Sequence, residues 1–264
     1  AGGRAAVGGA SLEDLEDLAR LQPEDPRWAA ACEGLAAGAH KLSSGGLVKA
    51  IGALAASASP AEERGAATLR AAAEELLACL TPQLGALGVG VVVDALRVMA
   101  AGRVQEQTYL DMLLAQLLVL LRRDRASFTT SLLAGVAGAL GTLHESGLSA
   151  KKASSGASSA ANRRCVEALG EQIVGSLEVL GPEELAALGG PFVVAFTDDV
   201  QRRAVLRRIA ELQIGLQASS QRLLPAMQRV EQAVRKHSFA FIASLPDATK
   251  DYLMRLKAAQ APAP

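Results

Sequence analysis

Leu87 to Leu143 reads LGVGVVVDALRVMAAGRVQEQTYLDMLLAQLLVLLRRDRASFTTSLLAGVAGALGTL. Its periodicity decides the fold class. Val92, Leu96 and Met99 fall on one helical stripe, and so do Leu110, Leu113, Leu114, Leu117, Leu118 and Leu121. Leu132, Leu133, Val136 and Leu140 make a third. Gly102-Arg103 separates the first helix from the second, and Asp124 to Ser127 separates the second from the third. The middle helix is apolar around most of its circumference, which predicts that it is sandwiched between neighbours. Such a helix belongs in the inner layer of stacked helical hairpins.

Working outward, the same reading extends in both directions. Ser11 to Leu21 (SLEDLEDLARL) carries Leu12, Leu15 and Leu18 at helical spacing behind a Ser11 cap. Asp25-Pro26 predicts a cap and a first helical position, with Trp28, Cys32 and Leu35 on one face. Ser43 to Gly46 reads as a turn, and Leu47 to Ala58 as a helix with Val48, Ile51 and Leu54 as its stripe. Ser59-Pro60 starts a further helix that closes at Thr81-Pro82. After His144 the tract ESGLSAKKASSGASSAA reads as an exposed insertion, residues 146–161. Helices resume at Asn162 and again after Gly181-Pro182, where Gly189-Gly190 before Pro191 is expected to kink or split the element. Val200 to Gln217 places Val205, Leu206, Ile209 and Leu212 on one side and Arg202, Arg203, Arg207 and Arg208 on the other. Gln221 to Phe241, with Pro225 near its start, and Asp247 to Ala259 complete the series.

An internal period accompanies this pattern. Leu35, Leu76 and Leu117 are each 41 residues apart. With about sixteen inserted residues allowed in the Ser/Ala tract, the series continues to Ile173 and Ile214. Leu54, Met99, Leu140 and Phe196 form a second series, in the alternate helices. The expected fold is therefore all-α: an α-solenoid of stacked antiparallel helical hairpins, about five repeats. Residues 11–260 form one domain in this reading, between a flexible segment 1–10 and a tail 261–264.

Two of these units, LSSGGLVKAIGALAASA with a helix ending AAAEELLACL, and VVVDALRVMAAGRV with QEQTYLDMLLAQLLVLL, resemble the octotricopeptide and heptatricopeptide repeats, which are related to those of FAST-kinase-like proteins. The shared pattern is a first helix rich in small residues, a short turn, and a Leu-rich second helix ending in basic residues. The resemblance spans roughly Asp25 to Gln217. It implies a mitochondrial or plastid location and an association with RNA processing, translation or the organellar ribosome. The opening AGGRAAVGGA, with one Arg and no acid, fits the end of a removed transit peptide.

Composition bounds the function further. Half the residues are hydrophobic but only 3% are aromatic, which argues against a base-stacking or carbohydrate-binding surface. Lys plus Arg and Asp plus Glu balance at 27 each, whereas a free high-affinity nucleic-acid binder is usually basic. The surplus of acid lies toward the front and of base toward the rear. Cys32, Cys79 and Cys165 sit apart in helical apolar patterns and read as buried free thiols of a reducing compartment. His40, His144 and His237 lie near helix C-termini without metal-ligand spacing. Neither LGVGVVV nor the adjacent acids Glu74-Glu75 and Asp198-Asp199 meets the requirements of a phosphate loop or a paired acid and base. No catalytic, metal or cofactor site is expected, no membrane span, and no small-molecule substrate.

The basic groups are the candidate contacts. Arg122, Arg123 and Arg125 end the central helix; Lys151, Lys152, Arg163 and Arg164 surround the start of the next; Arg202, Arg203, Arg207 and Arg208 make a ridge. Together they suit phosphate contact. The resulting expectation is a non-catalytic scaffold, an accessory subunit of a mitochondrial ribosome or other organellar RNA–protein assembly that meets rRNA backbone and neighbouring proteins. The alternatives are a structural subunit of a respiratory or ATP-synthase complex, and an organellar RNA-processing factor.

Overall fold

The computed structural model describes residues 18–57, 66–148, 156–237 and 239–259. The described residues are all-α, without strands, and divide into two compact units, Ala1–Leu117 and Leu118–Pro264. The sequence reading has a single domain over 11–260.

The first unit holds α1 (Pro26–Gly38), α2 (Ser44–Ser57), α3 (Ala66–Leu80), α4 (Val89–Ala101) and the start of α5 (Gln107–Arg123). Local chemistry sets the starts. The Asp25 carboxylate accepts the Arg27 backbone N–H at 2.9 Å, and Pro26 occupies the first turn of α1. Ser43 Oγ accepts from Gly46 N–H at 3.2 Å, so Gly45 and Gly46 open α2 instead of forming a turn. Helices pack on the next but one, α1 on α3 and α2 on α4, while α3 also touches α2 and α4. This is the pattern of a helical-repeat stack. Trp28, Leu35, Ile51, Leu54, Leu76, Leu96 and Met99 fill the core. In α2 the buried stripe runs through Leu47, Ile51 and Leu54; Val48 is only half-buried. The Trp28 indole N–H donates to Ser57 Oγ at 3.1 Å, tying α1 to the end of α2.

The second unit holds the remainder of α5, then α6 (Thr130–Glu145), α7 (Gly156–Gly175), α8 (Pro182–Ala195), α9 (Asp199–Glu211), α10 (Leu224–Arg235), α11 (Phe239–Ala243) and α12 (Asp247–Ala258). The alternating order recurs: α6 packs on α8, α8 on α10, α10 on α12, and α7 on α9. Close approach depends on glycines. A β-carbon on Gly189 would lie 2.7 Å from Ile209 Cδ1 and 3.0 Å from Val230 Cγ2. α8 runs unbroken through Pro191, contrary to the expected split, because contacts along its length hold it in place. Phe192 stacks on Phe196 with ring centroids 4.1 Å apart, and the Tyr252 hydroxyl donates to the Ile214 carbonyl at 2.6 Å.

Three helices end alike. After α4, α6 and α9 the chain turns through Arg103, Gly147 and Gln213, with φ of 50°, 94° and 49°. The next N–H then bonds back five residues, Val104 to Met99, Leu148 to Leu143 and Ile214 to Ile209. Val104, Leu148 and Ile214 are each buried. This is the Schellman closure with its hydrophobic follower. It ends α9 at Glu211 rather than Gln217.

The proposed insertion at 146–161 is not all loop. Residues 149–155 lie outside the described residues, but Gly156 to Ala161 form the first turns of α7, where Ala157, Ala160 and Ala161 supply helix propensity. The expected span Gln221 to Phe241 resolves into two helices, α10 beginning beside Pro225 and the short α11. Of the Ser11–Leu21 helix, residues 11–17 also fall outside the description, as do segment 1–10 and tail 261–264; Leu18 is buried.

Candidate nucleic-acid interface

The eleven candidate basic residues meet different fates. Arg202 lies on the same face as Val205, Leu206 and Ile209, so α9 buries it with the core. One of its guanidinium nitrogens donates to Asp199 at 2.8 Å, and its Cζ sits 5.9 Å from the centroid of the Phe241 ring. Arg203 donates to Ser244 Oγ at 3.1 Å. Arg207 faces Glu211 at 3.5 Å, and Arg208 bridges Glu178 at 3.1 Å and Glu211 at 3.7 Å. The expected ridge is thus a set of internally paired side chains, one of them buried.

Arg163 and Arg164 are exposed and enter no ion pair among the described residues, but they do not open a helix. α7 begins at Gly156, so both lie beyond the first turn, where the macrodipole has faded. Exposed Glu167 lies one turn further along the same surface. Lys151 and Lys152 lie outside the described residues.

Arg122, Arg123 and Arg125 differ from the rest. The first two occupy the last turn of α5, and the third opens a 3₁₀ turn, Arg125–Ser127. All three are exposed, and none enters an ion pair among the described residues. Asp124 stands between them, exposed, with its carboxylate engaged by the following turn: one oxygen accepts from Ala126 N–H at 3.1 Å and the other from the Ser127 hydroxyl. The Ser127 hydrogen bond, with the Ala126 and Ser127 N–H groups and the charge of Arg123, holds that carboxyl below the usual range.

The central helix is less enclosed than expected. Leu110, Leu113, Leu114, Leu117, Leu118 and Leu121 are buried, but Ala115, Val119 and Arg122 share an exposed strip, with Val119 55% exposed.

The first unit carries the opposite charge. It has nine Lys and Arg against fourteen Asp and Glu, a balance of −5, whereas the second has eighteen against thirteen, or +5. In the first unit, burial raises the Tyr109 phenol above its ordinary value, followed by the charges of Glu106, Glu74 and Glu75, which places these acids around its ring. Cys32 and Cys165 are buried, but Cys79 is only half-buried. No group of three or more His, Cys, Asp and Glu capable of holding a metal occurs among the described residues. No helix among them is long and apolar enough to cross a membrane.

No protein-family model matches the chain, and no curated protein matches it.

The partners that neutralise the α9 arginines were partly legible. Asp199 stands three residues before Arg202, and Glu211 three and four residues after Arg208 and Arg207, the spacings at which helical ion pairs form. Glu178, before α8, and Ser244, after α11, had no local signal.

Proposed function

We propose that the protein is a non-catalytic helical scaffold, an accessory subunit of an organellar RNA–protein assembly. The mitochondrial ribosome is the first candidate and a plastid counterpart the second. The observation that carries this reading is the coincidence of charge with architecture: two helical units, one with a surplus of carboxylates and the other with a surplus of guanidinium and ammonium groups. The basic unit is the side that meets RNA backbone, through charge and shape without base readout. The acidic unit is the side that meets proteins, where complementary charge sets partner and orientation. The resemblance of the repeats to octotricopeptide and heptatricopeptide units supports the organellar setting.

Gradient sedimentation of the tagged chain from isolated mitochondria tests the proposal. The expected result is co-migration with an rRNA-containing particle, and release by ribonuclease or by high salt. Migration with a membrane complex that survives ribonuclease would replace the proposal with a respiratory or ATP-synthase subunit.

A further inference from the structure

Resting on the reading above, we infer that the phosphate contact is concentrated at the turn between α5 and α6, on Arg122, Arg123 and Arg125, and that the arginines of α9 take no part. The inference follows from what each guanidinium is already doing. A guanidinium that binds a carboxylate has spent donors and charge on it, and must give that pair up before it can hold a phosphate. Arg202 is bound to Asp199 and buried, Arg207 faces Glu211, and Arg208 lies between Glu178 and Glu211. These three would have to exchange one anion for another, with little net gain, and Arg203 would have to give up its bond to Ser244 Oγ.

The α5–α6 turn has no such competition. Its three guanidiniums enter no ion pair among the described residues, and the carboxylate between them is held by Ala126 N–H and the Ser127 hydroxyl. A phosphate arriving there meets three exposed cations whose one adjacent carboxylate, Asp124, is already engaged by its own turn. Of the other candidates Arg163 and Arg164 on α7 are the next most available, but exposed Glu167 lies one turn away on the same helix.

The surroundings favour a nucleic-acid backbone over an acidic protein. Protein interfaces are organised around a desolvated apolar centre. From Arg122 to Ser127 every residue is exposed, and the neighbouring large apolar group on this strip is Val119. A fan of cations with a single exposed valine beside it suits a partner whose charge repeats along a flexible chain.

The test compares two variants of the full chain, Arg122→Gln/Arg123→Gln/Arg125→Gln and Arg203→Gln/Arg207→Gln. Fluorescence anisotropy is measured with a labelled uridine homopolymer over a salt series, and again with a labelled polyglutamate. All substituted side chains are exposed or half-exposed, and circular dichroism establishes that both variants are folded. The wild type is expected to bind the homopolymer with an affinity that falls as salt rises. The triple variant is expected to bind about tenfold more weakly at low salt, with a salt slope smaller by about two, since each single-strand phosphate contact contributes roughly 0.7. The α9 variant should keep the wild-type affinity within about twofold.

Equal losses in both variants, or a larger loss in the α9 variant, overturn the assignment while leaving the RNA reading standing. Absence of homopolymer binding by the wild type overturns both. Binding of polyglutamate as tight as that of RNA, with the same loss in the triple variant, overturns the choice of a nucleic acid in favour of an acidic protein.

Discussion

Gly141 on α6 lies so close to Pro191 on α8 that a β-carbon added to the glycine would sit 2.7 Å from the proline Cα and 2.6 Å from its Cβ. The proline side of this contact is largely backbone and ring, which cannot rotate away. Gly141→Ala should therefore destabilise the second unit. Overpacking costs about 1–3 kcal/mol, offset in part by about 1 kcal/mol of helix propensity, for a net loss of up to roughly 2 kcal/mol. Gly138→Ala is the matched control in the same helix, since a β-carbon there meets nothing within 4 Å. It should raise stability by about 0.5–1 kcal/mol. Urea midpoints followed by circular dichroism distinguish the two, and a midpoint for Gly141→Ala at or above wild type contradicts the packing described.

The shared helix endings make a second prediction, of opposite signs at equivalent positions. Arg103 adopts φ of 50° without being glycine, at a steric cost of about 1–2 kcal/mol. Arg103→Gly relieves that cost and adds about 0.5–1 kcal/mol of unfolded-chain entropy, so it should leave a gain of up to about 1.5 kcal/mol. Gly147, at φ of 94° with open space around it, should lose about 1 kcal/mol or more on substitution by Ala. Thermal denaturation of the two variants checks the pair of signs.

The single tryptophan reports on the first unit alone. Trp28 is buried, and its indole N–H has Ser57 Oγ as acceptor at 3.1 Å. Ser57→Ala leaves that N–H buried without its acceptor, at a cost of about 1–3 kcal/mol. The expected result is an earlier fluorescence-detected unfolding transition, checked against wild type in the same urea series.

Thiol chemistry gives a pH prediction. Burial pushes the Cys165 thiol up to about 12, and burial with the charge of Glu33 does the same for Cys32, from an ordinary 9.0. Burial also raises the Tyr252 phenol, whose ordinary value is 10.0. The native state keeps these protons while the unfolded chain releases them. The stability they contribute is therefore complete below pH 9 and is lost progressively as pH rises from there toward 12. Denaturation midpoints should be insensitive to these groups near neutrality and fall above pH 9. In the native protein a disulfide reagent should modify half-buried Cys79 first, with Cys32 and Cys165 reacting only at the rate of opening.

Much of the fold was legible because its signals are local. Asp25-Pro26, the Trp28–Cys32–Leu35 face and the leucines of α5 depend on neighbours within a turn or two, and the structure places them as their spacing requires. Leu35, Leu76 and Leu117, 41 residues apart, are all buried, as are Ile173 and Ile214 beyond the Ser/Ala tract. The failures share one physical origin, a contact made by a distant segment. Arg202 looked like a surface cation until Phe241, thirty-nine residues later, came to lie beneath it. Pro191 looked like a break, but α6 and α10 flank α8 and hold it helical. Gly156 to Ala161 looked like linker because serine and alanine say little about burial; the helix they start is secured by Cys165, Leu169 and Ile173 further along. Which of the candidate arginines are available was not legible, since pairing with residues such as Glu178 decides it.

The most direct test of the scaffold reading is ultraviolet crosslinking of the native particle, followed by mass spectrometry of the chain. The account predicts RNA adducts on the peptides spanning the α5–α6 turn, none on α9, and protein crosslinks concentrated on the acidic first unit. RNA adducts confined to the first unit, or a chain recovered from its particle without any RNA adduct, would contradict it.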